Sequence, residues 1–232
     1  MKKIVIILAG EPESINSEII VKAWKKSKKK IIIIGSFLLI KKQLKKIQLN
    51  APLVKIKNIE EYKNKKFLHI LDVPLKFLYP FNVPIKYKKK YIFECFNIVH
   101  NLAIKKKIKG FINAPIDKKI FNSKYNGVTE YLSMKNKVKG KEVMMIFNNK
   151  LSVVPITTHI DVKNVEKNIK KELISNKIIT INNFFIDCFN KKPRIAILGL
   201  NPHNSENRSD SIESKLIAPQ VKILRAKKIK QK

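Results

Sequence analysis

K-I-V-I-I-L-A (residues 3–9) and I-I-I-I-G (residues 31–35) are the two aliphatic runs that most clearly indicate the fold. Each is a short, continuous aliphatic run that ends at a turn, as buried strands do. Between them, Ser17 to Lys28 has the apolar spacing of an amphipathic helix, with Ser14 or Ser17 as its N-cap. Aliphatic strands that alternate with helices are typical of a parallel sheet covered on both faces. The sequence therefore predicts an α/β fold with a mainly parallel sheet.

Further elements follow the same pattern along the chain. Predicted strands lie at Leu53–Ile56, Phe67–Leu71, Phe111–Ile112 and Ile195–Leu200, a strand pair at Val143–Phe147 and Leu151–Pro155, and helices at Phe37–Ile47, Lys90–Lys107 and Val162 to about Cys188. No apolar run approaches the length that a bilayer needs, so we expect no membrane partner.

The formal net charge is +33, from 50 Lys plus Arg against 17 Asp plus Glu. Such a surface is typical of proteins that bind polyanions. The excess, however, is nearly all Lys and is spread over the whole chain together with abundant Ile and Asn, the residues of A/T-rich codons. Dedicated DNA-binding proteins concentrate their charge and favour Arg. We therefore expect nucleic acid to bind only nonspecifically, at low salt.

The two cysteines, Cys95 and Cys188, lie far apart in apolar segments and form no C-x-x-C pair. This pattern predicts buried, reduced thiols in a cytoplasmic protein. The basic start of the chain is similar to a signal peptide, but its apolar run is short and continues into a loop and an amphipathic pattern. We interpret it as the first strand.

Two histidines follow aliphatic runs at predicted strand ends. His159 stands in T-T-H-I (residues 157–160), and His203 stands in N-P-H directly after the predicted strand Ile195–Leu200. Ligands of open α/β sheets bind at the carboxyl ends of the strands, so one sheet edge would bring both imidazoles together. Imidazoles are good ligands for Zn²⁺ or Co²⁺, and catalytic metal sites usually have three protein ligands. For His203, an ordinary solvated loop histidine is the alternative.

A third metal ligand has several candidates in this sequence. They are His69, His100, Asp161 and Glu206. We interpret His69 and His100 more simply as packed or surface side chains.

Several segments in register resemble one known family. They are A-P-I-D-K (114–118), G-V-T-E-Y-L (127–132), T-T-H-I (157–160) and R-I-A-I-L-G-L-N-P-H (194–203). In this order and approximate spacing they are similar to motifs of the PdxA family of 4-hydroxythreonine-4-phosphate dehydrogenases, in which the last is the most specific. The opening I-L-A-G-E-P-E-S-I-N-S-E-I resembles an eroded form of that family's G-D-P-A-G-I-G-P-E-I start.

The resemblance implies an α/β/α fold like that of isocitrate and isopropylmalate dehydrogenases, spanning residues 1–232 with a second subdomain around residues 110–200. It implies a cytoplasmic homodimer that oxidises a phosphorylated amino acid, 4-phosphohydroxy-L-threonine, with NAD in pyridoxal 5'-phosphate biosynthesis. Decarboxylation then follows. A divalent metal (Zn²⁺, Mg²⁺ or Co²⁺) would be held by three histidines in the family, two of which match His159 and His203.

The resemblance also suggests substrate-binding residues. Thr129 matches a substrate-contacting threonine. Asn113 directly precedes the A-P-I-D-K loop, and Lys118 is the last residue of that loop, where it would meet the phosphate or carboxylate. It assigns no catalytic base and no NAD-binding residue.

The chain departs from the family pattern at several points. Val128 stands where the family has a substrate-contacting histidine, and residues 204–208 keep Glu206 but none of the family's glycines. The family's third metal histidine, in a Y-H-D-Q segment, and most of its NAD-binding region would follow Lys232, so the matching region lacks the C-terminal part of the family fold. Three hypotheses result: an active dehydrogenase, a catalytically dead remnant, or a basic polyanion-binding protein on the same scaffold.

Overall fold

The computed structural model describes residues 4–121, 125, 127–203, 206 and 208–226. The chain forms two compact units, residues 1–122 and 123–232. Of the helices in these described ranges, none combines the length and the apolar character needed to cross a membrane.

The first unit is built around one parallel sheet. Its elements are β1 (Ile4–Leu8), α1 (Asn16–Lys26), β2 (Ile31–Gly35), α2 (Phe37–Lys46), β3 (Leu53–Ile56), β4 (Leu68–Asp72), α3 (Ile85–Ile104) and β5 (Ile108–Asn113), with 3₁₀ turns at Ile59–Glu61 and Lys118–Phe121. The strand order is β3-β4-β2-β1-β5, and every pair is parallel. The predicted α/β fold with a mainly parallel sheet is therefore confirmed.

The aliphatic runs occupy the centre of this sheet. All five residues of β2 are buried, because both faces of a central parallel strand are covered. Ile7, Ile33 and Ile70 from three adjacent strands pack in one cluster with Ile20 of α1 and Leu44 of α2. The helix α3 contacts β1, β2 and β5. The core of this unit thus consists of the isoleucine strands and the apolar side chains packed on their two faces.

The N-cap predicted for α1 is wrong. Ile15 occupies the cap position without a side-chain hydrogen bond, and the Ser17 hydroxyl instead bonds to Gln43 in the buried contact with α2. Ser14 accepts a hydrogen bond from the backbone N–H of Asn16. The helix α2 is capped as expected for a strand–helix turn, because the Ser36 hydroxyl accepts from the backbone N–H of Leu39.

The described helix Lys171–Phe189 ends at the left-handed Asn190, with φ of 51°, and three other described helices end in a left-handed glutamine or lysine. These three residues are Gln48 after α2, Lys106 after α3 and Lys137 after the helix Val128–Lys135, with φ values of 54°, 53° and 57°. The next backbone N–H in each case bonds back into the helix: Leu49 to Leu44, Lys107 to Leu102 and Val138 to Ser133, all at 3.0 Å. This is the Schellman geometry that helices most often close with glycine.

The second unit is mainly helical in its described part. Its elements are α4 (Val128–Lys135), a 3₁₀ turn (Val162–Asn164), α5 (Val165–Asn168), α6 (Lys171–Phe189), a π-helical turn (Glu213–Ile217) and α7 (Ala218–Ala226). A small core joins α6 to the last two elements through Ile174, Ile178, Ile217 and Leu224.

Several predictions for the second unit are wrong in detail. The predicted strand Ile195–Leu200 has no regular secondary structure, and Leu198 within it is 83% exposed. The predicted strand pair is reduced to one antiparallel bridge between Ile146 and Val153. The predicted helix from Val162 is interrupted at Ile169, whose backbone turns to an extended conformation as its side chain enters the core.

The two cysteines differ in environment. Cys95 is buried in α3, as predicted, and burial raises the pKa of its thiol. Cys188 is exposed near the end of α6, so the prediction of a buried thiol is wrong there. It lies beyond Asn182, the last buried residue of α6.

Candidate functional site

The carboxyl edge of the sheet in the first unit is closed by two connected loops. The loop after β1 begins at Gly10, where φ is +72°. The side-chain amide of Asn16 donates to the carbonyl oxygens of Ala9 at 3.0 Å and Pro115 at 2.9 Å, and the backbone N–H of Glu11 donates to the same Pro115 carbonyl at 2.9 Å. The chain leaves β1 toward β2, with β5 on the other side, so these loops border the topological switch point, where α/β proteins bind ligands.

Two of the predicted substrate-binding residues belong to this edge. Asn113 is the last residue of β5, paired in register with Leu8, and its side chain is exposed. Lys118 begins the 3₁₀ turn that follows the Ala114–Pro115 segment and is also exposed. Both are accessible to a ligand at the sheet edge.

A partly buried lysine connects the loop after β1 to α3. The Lys88 ammonium lies 2.7 Å from Glu13 and 3.4 Å from Glu11. Glu13 also accepts from the backbone N–H of Val83. The hydrogen bond from Lys88 lowers the pKa of Glu13. For Lys88, burial opposes the charged form, but the two carboxylates outweigh it, so its pKa is raised.

The second unit carries the other predicted residues. Thr129 is the second residue of α4 and is exposed. His159 is exposed and has a left-handed backbone, with φ of +57°. His203 is exposed in the loop that follows Ile195–Leu200, where its backbone N–H donates to the Asn201 side-chain oxygen at 2.7 Å. The three side chains are therefore open to solvent in the described structure.

The candidates for a third metal ligand do not complete a cluster. His69 lies within β4, where its Nδ1 is 3.0 Å from the Phe67 carbonyl and its Nε2 accepts from the backbone N–H of Lys63. Burial lowers its pKa, and its side chain is fully buried, so the interpretation of His69 as a packed histidine is confirmed. His100 is buried in α3. Asp161 and Glu206 are exposed, and the described residues contain no group of three His, Cys, Asp or Glu side chains able to hold a metal.

Sequence reasoning did not single out one residue beside His203. Glu213, at the start of the π-helical turn, is buried, and its carboxylate accepts from the backbone N–H groups of Leu200 and Asn201. An acidic residue in the first turn of a helix is ordinary in sequence, so only the tertiary contact reveals it.

Comparison with known proteins adds to this geometry. The sequence profile of the family described as pyridoxal phosphate biosynthetic protein PdxA matches residues 27–232. The chain is 35% identical over 237 residues to a 4-hydroxythreonine-4-phosphate dehydrogenase of Sulfurihydrogenibium, which covers 97% of this chain and 71% of the relative. It is 26% identical over 243 residues to a D-threonate 4-phosphate dehydrogenase of Pectobacterium atrosepticum, covering 99% of this chain and 73% of the relative.

A solved structure has the same fold. The crystal structure of 4-hydroxythreonine-4-phosphate dehydrogenase from Klebsiella pneumoniae superposes with a TM-score of 0.89 at 26% identity, covering 97% of this chain and 73% of that one. The chain thus spans about seven tenths of the length of these three proteins, between 71% and 73%.

The parallel sheet, the loops at its carboxyl edge and the similarity to these relatives define an oxidoreductase of the α/β dehydrogenase class. Within that class, the chain belongs to the PdxA family. The family resemblance of the four motif segments is therefore confirmed.

Proposed function

We propose that this protein catalyses the NAD-dependent oxidation, with decarboxylation, of 4-phosphohydroxy-L-threonine in pyridoxal 5'-phosphate biosynthesis. The observation that carries the proposal is the 35% identity, over 97% of the chain, to a relative named for that substrate. Hydride transfer to a nicotinamide is the chemistry of dehydrogenases, so NAD is the proposed cofactor.

The proposed substrate-binding residues are Asn113, Lys118 and Thr129. Lys118 has an exposed ammonium suited to a phosphate or carboxylate, and the Thr129 hydroxyl can exchange hydrogen bonds with a hydroxylated ligand. The apolar Val128 beside Thr129 offers no donor. Of Val128 and Thr129, only Thr129 could therefore form hydrogen bonds to the substrate at this helix start.

His159 and His203 are the proposed ligands of a divalent metal, Zn²⁺, Mg²⁺ or Co²⁺. Two exposed imidazoles suit a transition-metal ion in their chemistry, but the described residues contain no third donor beside them. The proposal therefore requires a further ligand from outside the described residues or from a second copy of the chain. When bound, the metal would lower the energy of the substrate alkoxide from which hydride departs.

A homodimer is part of the proposal. An aromatic cluster of the second unit, formed by Phe147, Phe184 and Phe189, has each side chain at least 42% exposed. The Phe147 and Phe189 rings stack at 5.6 Å, and with Val143 and Met145 the cluster lines a groove of about 300 Å³. Exposed apolar groups of this kind are typical of subunit interfaces. A Phe147→Asp variant should dissociate the dimer in light scattering; an unchanged mass would contradict this interface.

The relatives also favour a second substrate. Proteins with 26–27% identity are named D-threonate 4-phosphate dehydrogenases. That substrate has a hydroxyl where the amino acid has an amine, so the two differ in a donor group rather than in shape. Measuring both substrates in one assay separates these functions.

The test is NAD reduction by the purified protein with each substrate and with Zn²⁺, Mg²⁺ or Co²⁺. We expect turnover with at least one substrate, and loss of both turnover and bound metal in His159→Ala and His203→Ala. An inactive wild type that retains no metal would refute the enzyme proposal and favour the dead remnant. Nucleic-acid affinity that persists at physiological salt would instead favour the polyanion-binding protein.

A further inference from the structure

Glu213 in the second unit is a buried acidic residue beside the loop that carries His203. Its side chain is only 4% exposed, and its Oε1 accepts hydrogen bonds from the backbone N–H of Leu200 at 2.9 Å and of Asn201 at 3.1 Å. A carboxylate that accepts from backbone amides forms charge-assisted bonds, which are stronger than neutral ones. Since an unpaired buried charge is costly, the carboxylate and the two amides hold each other in place.

The contact continues from Asn201 to His203. The Asn201 side-chain oxygen accepts from the backbone N–H of His203 at 2.7 Å. Asn201 is therefore held through its own backbone by Glu213 and holds the backbone of His203 through its side chain. Glu213 is thus linked to His203, the predicted metal ligand, through Asn201.

The helical turn that carries Glu213 packs on the core of the second unit. Glu213 begins a π-helical turn whose Ile217 is buried in the cluster with Ile174 and Ile178 of α6. Just before it, the Ser211 hydroxyl accepts from the backbone N–H of Ser214, which closes the helix start. The positive end of the helix dipole also favours a carboxylate at this place. The exposed loop is thus anchored to a helical segment that packs on the core of this unit.

We propose that Glu213 is a positioning residue that holds the Leu200–His203 segment and so orients the His203 imidazole for a divalent cation. The orientation of a metal ligand by a neighbouring carboxylate is a general feature of metal sites. Here the carboxylate acts on the backbone of the loop rather than on the imidazole ring. The part that concerns the metal rests on the proposed function; the anchoring of the loop does not.

The first experiment measures backbone amide exchange by NMR in the wild-type chain and in Glu213→Ala and Glu213→Gln. We expect the Leu200 and Asn201 amides to exchange about 10- to 100-fold faster in Glu213→Ala. The His203 amide should also exchange faster, although it donates to the Asn201 side chain and not to Glu213. Glu213→Gln keeps one acceptor oxygen, so it should fold. Its amides should exchange at rates between those of the wild type and those of Glu213→Ala.

A matched control is Glu172→Gln. Glu172 is also an acidic residue in the first turn of a helix of the second unit, but it is exposed. It should leave the exchange of all three amides unchanged. Equal exchange of Leu200 and Asn201 in the wild type and both Glu213 variants would overturn the anchor, and an unchanged His203 amide would overturn the positioning.

The second experiment titrates the same proteins with Co²⁺ alone and follows its visible absorption. We expect the apparent dissociation constant to rise about 10-fold in Glu213→Ala, less in Glu213→Gln, and not in Glu172→Gln. Unchanged Co²⁺ affinity in Glu213→Ala would overturn the role in metal binding. A wild type that binds no Co²⁺ would overturn that role together with the proposed metal site, while amide exchange still decides the anchor.

Discussion

Gly10 is the position where one added methyl group should do most damage to the first unit. A Cβ there would lie 2.6 Å from the Pro115 carbonyl oxygen, 2.8 Å from that of Ala114 and 2.7 Å from the Asn16 side-chain nitrogen. Two of these atoms are backbone oxygens, which no rotamer change can move away. Gly10 also has φ of +72°, a conformation that costs other residues about 1 kcal/mol.

The cost of Gly10→Ala can be estimated from these contacts. Relief requires the loop after β1 to separate from Pro115, which breaks the hydrogen bonds from Asn16 and Glu11 to that carbonyl, each 2.9 Å long. At about 1 kcal/mol each, added to the backbone term, the free energy of unfolding should fall by about 3 kcal/mol. For a unit of this size the melting temperature should fall by roughly 10 °C.

The assay is thermal unfolding followed through the fluorescence of Trp24. This is the single tryptophan of the chain and lies in α1, so it reports on the first unit. Gly110→Ala is the matched control, because a Cβ there meets nothing within 4 Å. The reasoning is refuted if Gly10→Ala and Gly110→Ala melt within about 1 °C of each other.

Three further predictions concern other parts of the molecule. Lys88→Met should lower the free energy of unfolding by about 1–3 kcal/mol at neutral pH. Because the pKa of Glu13 is lowered in the folded state, this difference should be lost as the pH falls through that value, and a difference that stays constant in acid urea titrations would contradict it. Ile33→Ala, at a fully buried position of β2, should cost about 3 kcal/mol and Ile33→Val about 1 kcal/mol in urea unfolding; equal costs would show that the site is not packed. A thiol reagent should modify Cys188 in the native protein and Cys95 only after unfolding, as peptide mapping would show; early modification of Cys95 would mean that α3 opens.

The sheet of the first unit follows from local sequence because its strands carry their own signal. Isoleucine runs such as Ile31–Gly35 are long enough for one strand and too short for a buried helix. A glycine or polar residue marks the end of each run. The order of the strands did not follow, because it depends on which helices cover which face. That information lies in contacts between distant segments.

The same reasoning failed for Ile195–Leu200, which has equal aliphatic content. A strand is defined by backbone hydrogen bonds to a neighbouring strand, and within the described residues this segment forms no such pairing. Apolar composition predicts that a segment can pair, not that a partner is in place. Ile169 is a second example, since its backbone is extended and its side chain is buried in the core where a continuous helix was predicted.

Residue type and position after a strand-like run are enough to propose candidate site residues, which stay predictions. His159 and His203 could be named in this way, and the family motifs added Thr129, Asn113 and Lys118. Glu213 could not, since its importance comes from backbone groups 12 and 13 residues earlier in the chain. Such side-chain to backbone contacts leave no spacing pattern in the sequence.

The left-handed residues at the ends of α2, α3 and α4 have a consequence for how much stability this chain keeps in reserve. The whole sequence contains only six glycines, and Gln48, Lys106 and Lys137 occupy positions that glycine fills at lower free energy. At about 1 kcal/mol each, the three helix ends cost about 3 kcal/mol, a large part of the 5–15 kcal/mol by which domains are stable. The chain would thus tolerate fewer further mutations than the same fold with glycine at these helix ends. Glycine at these three surface positions would restore that tolerance without touching the sheet or the histidine loops.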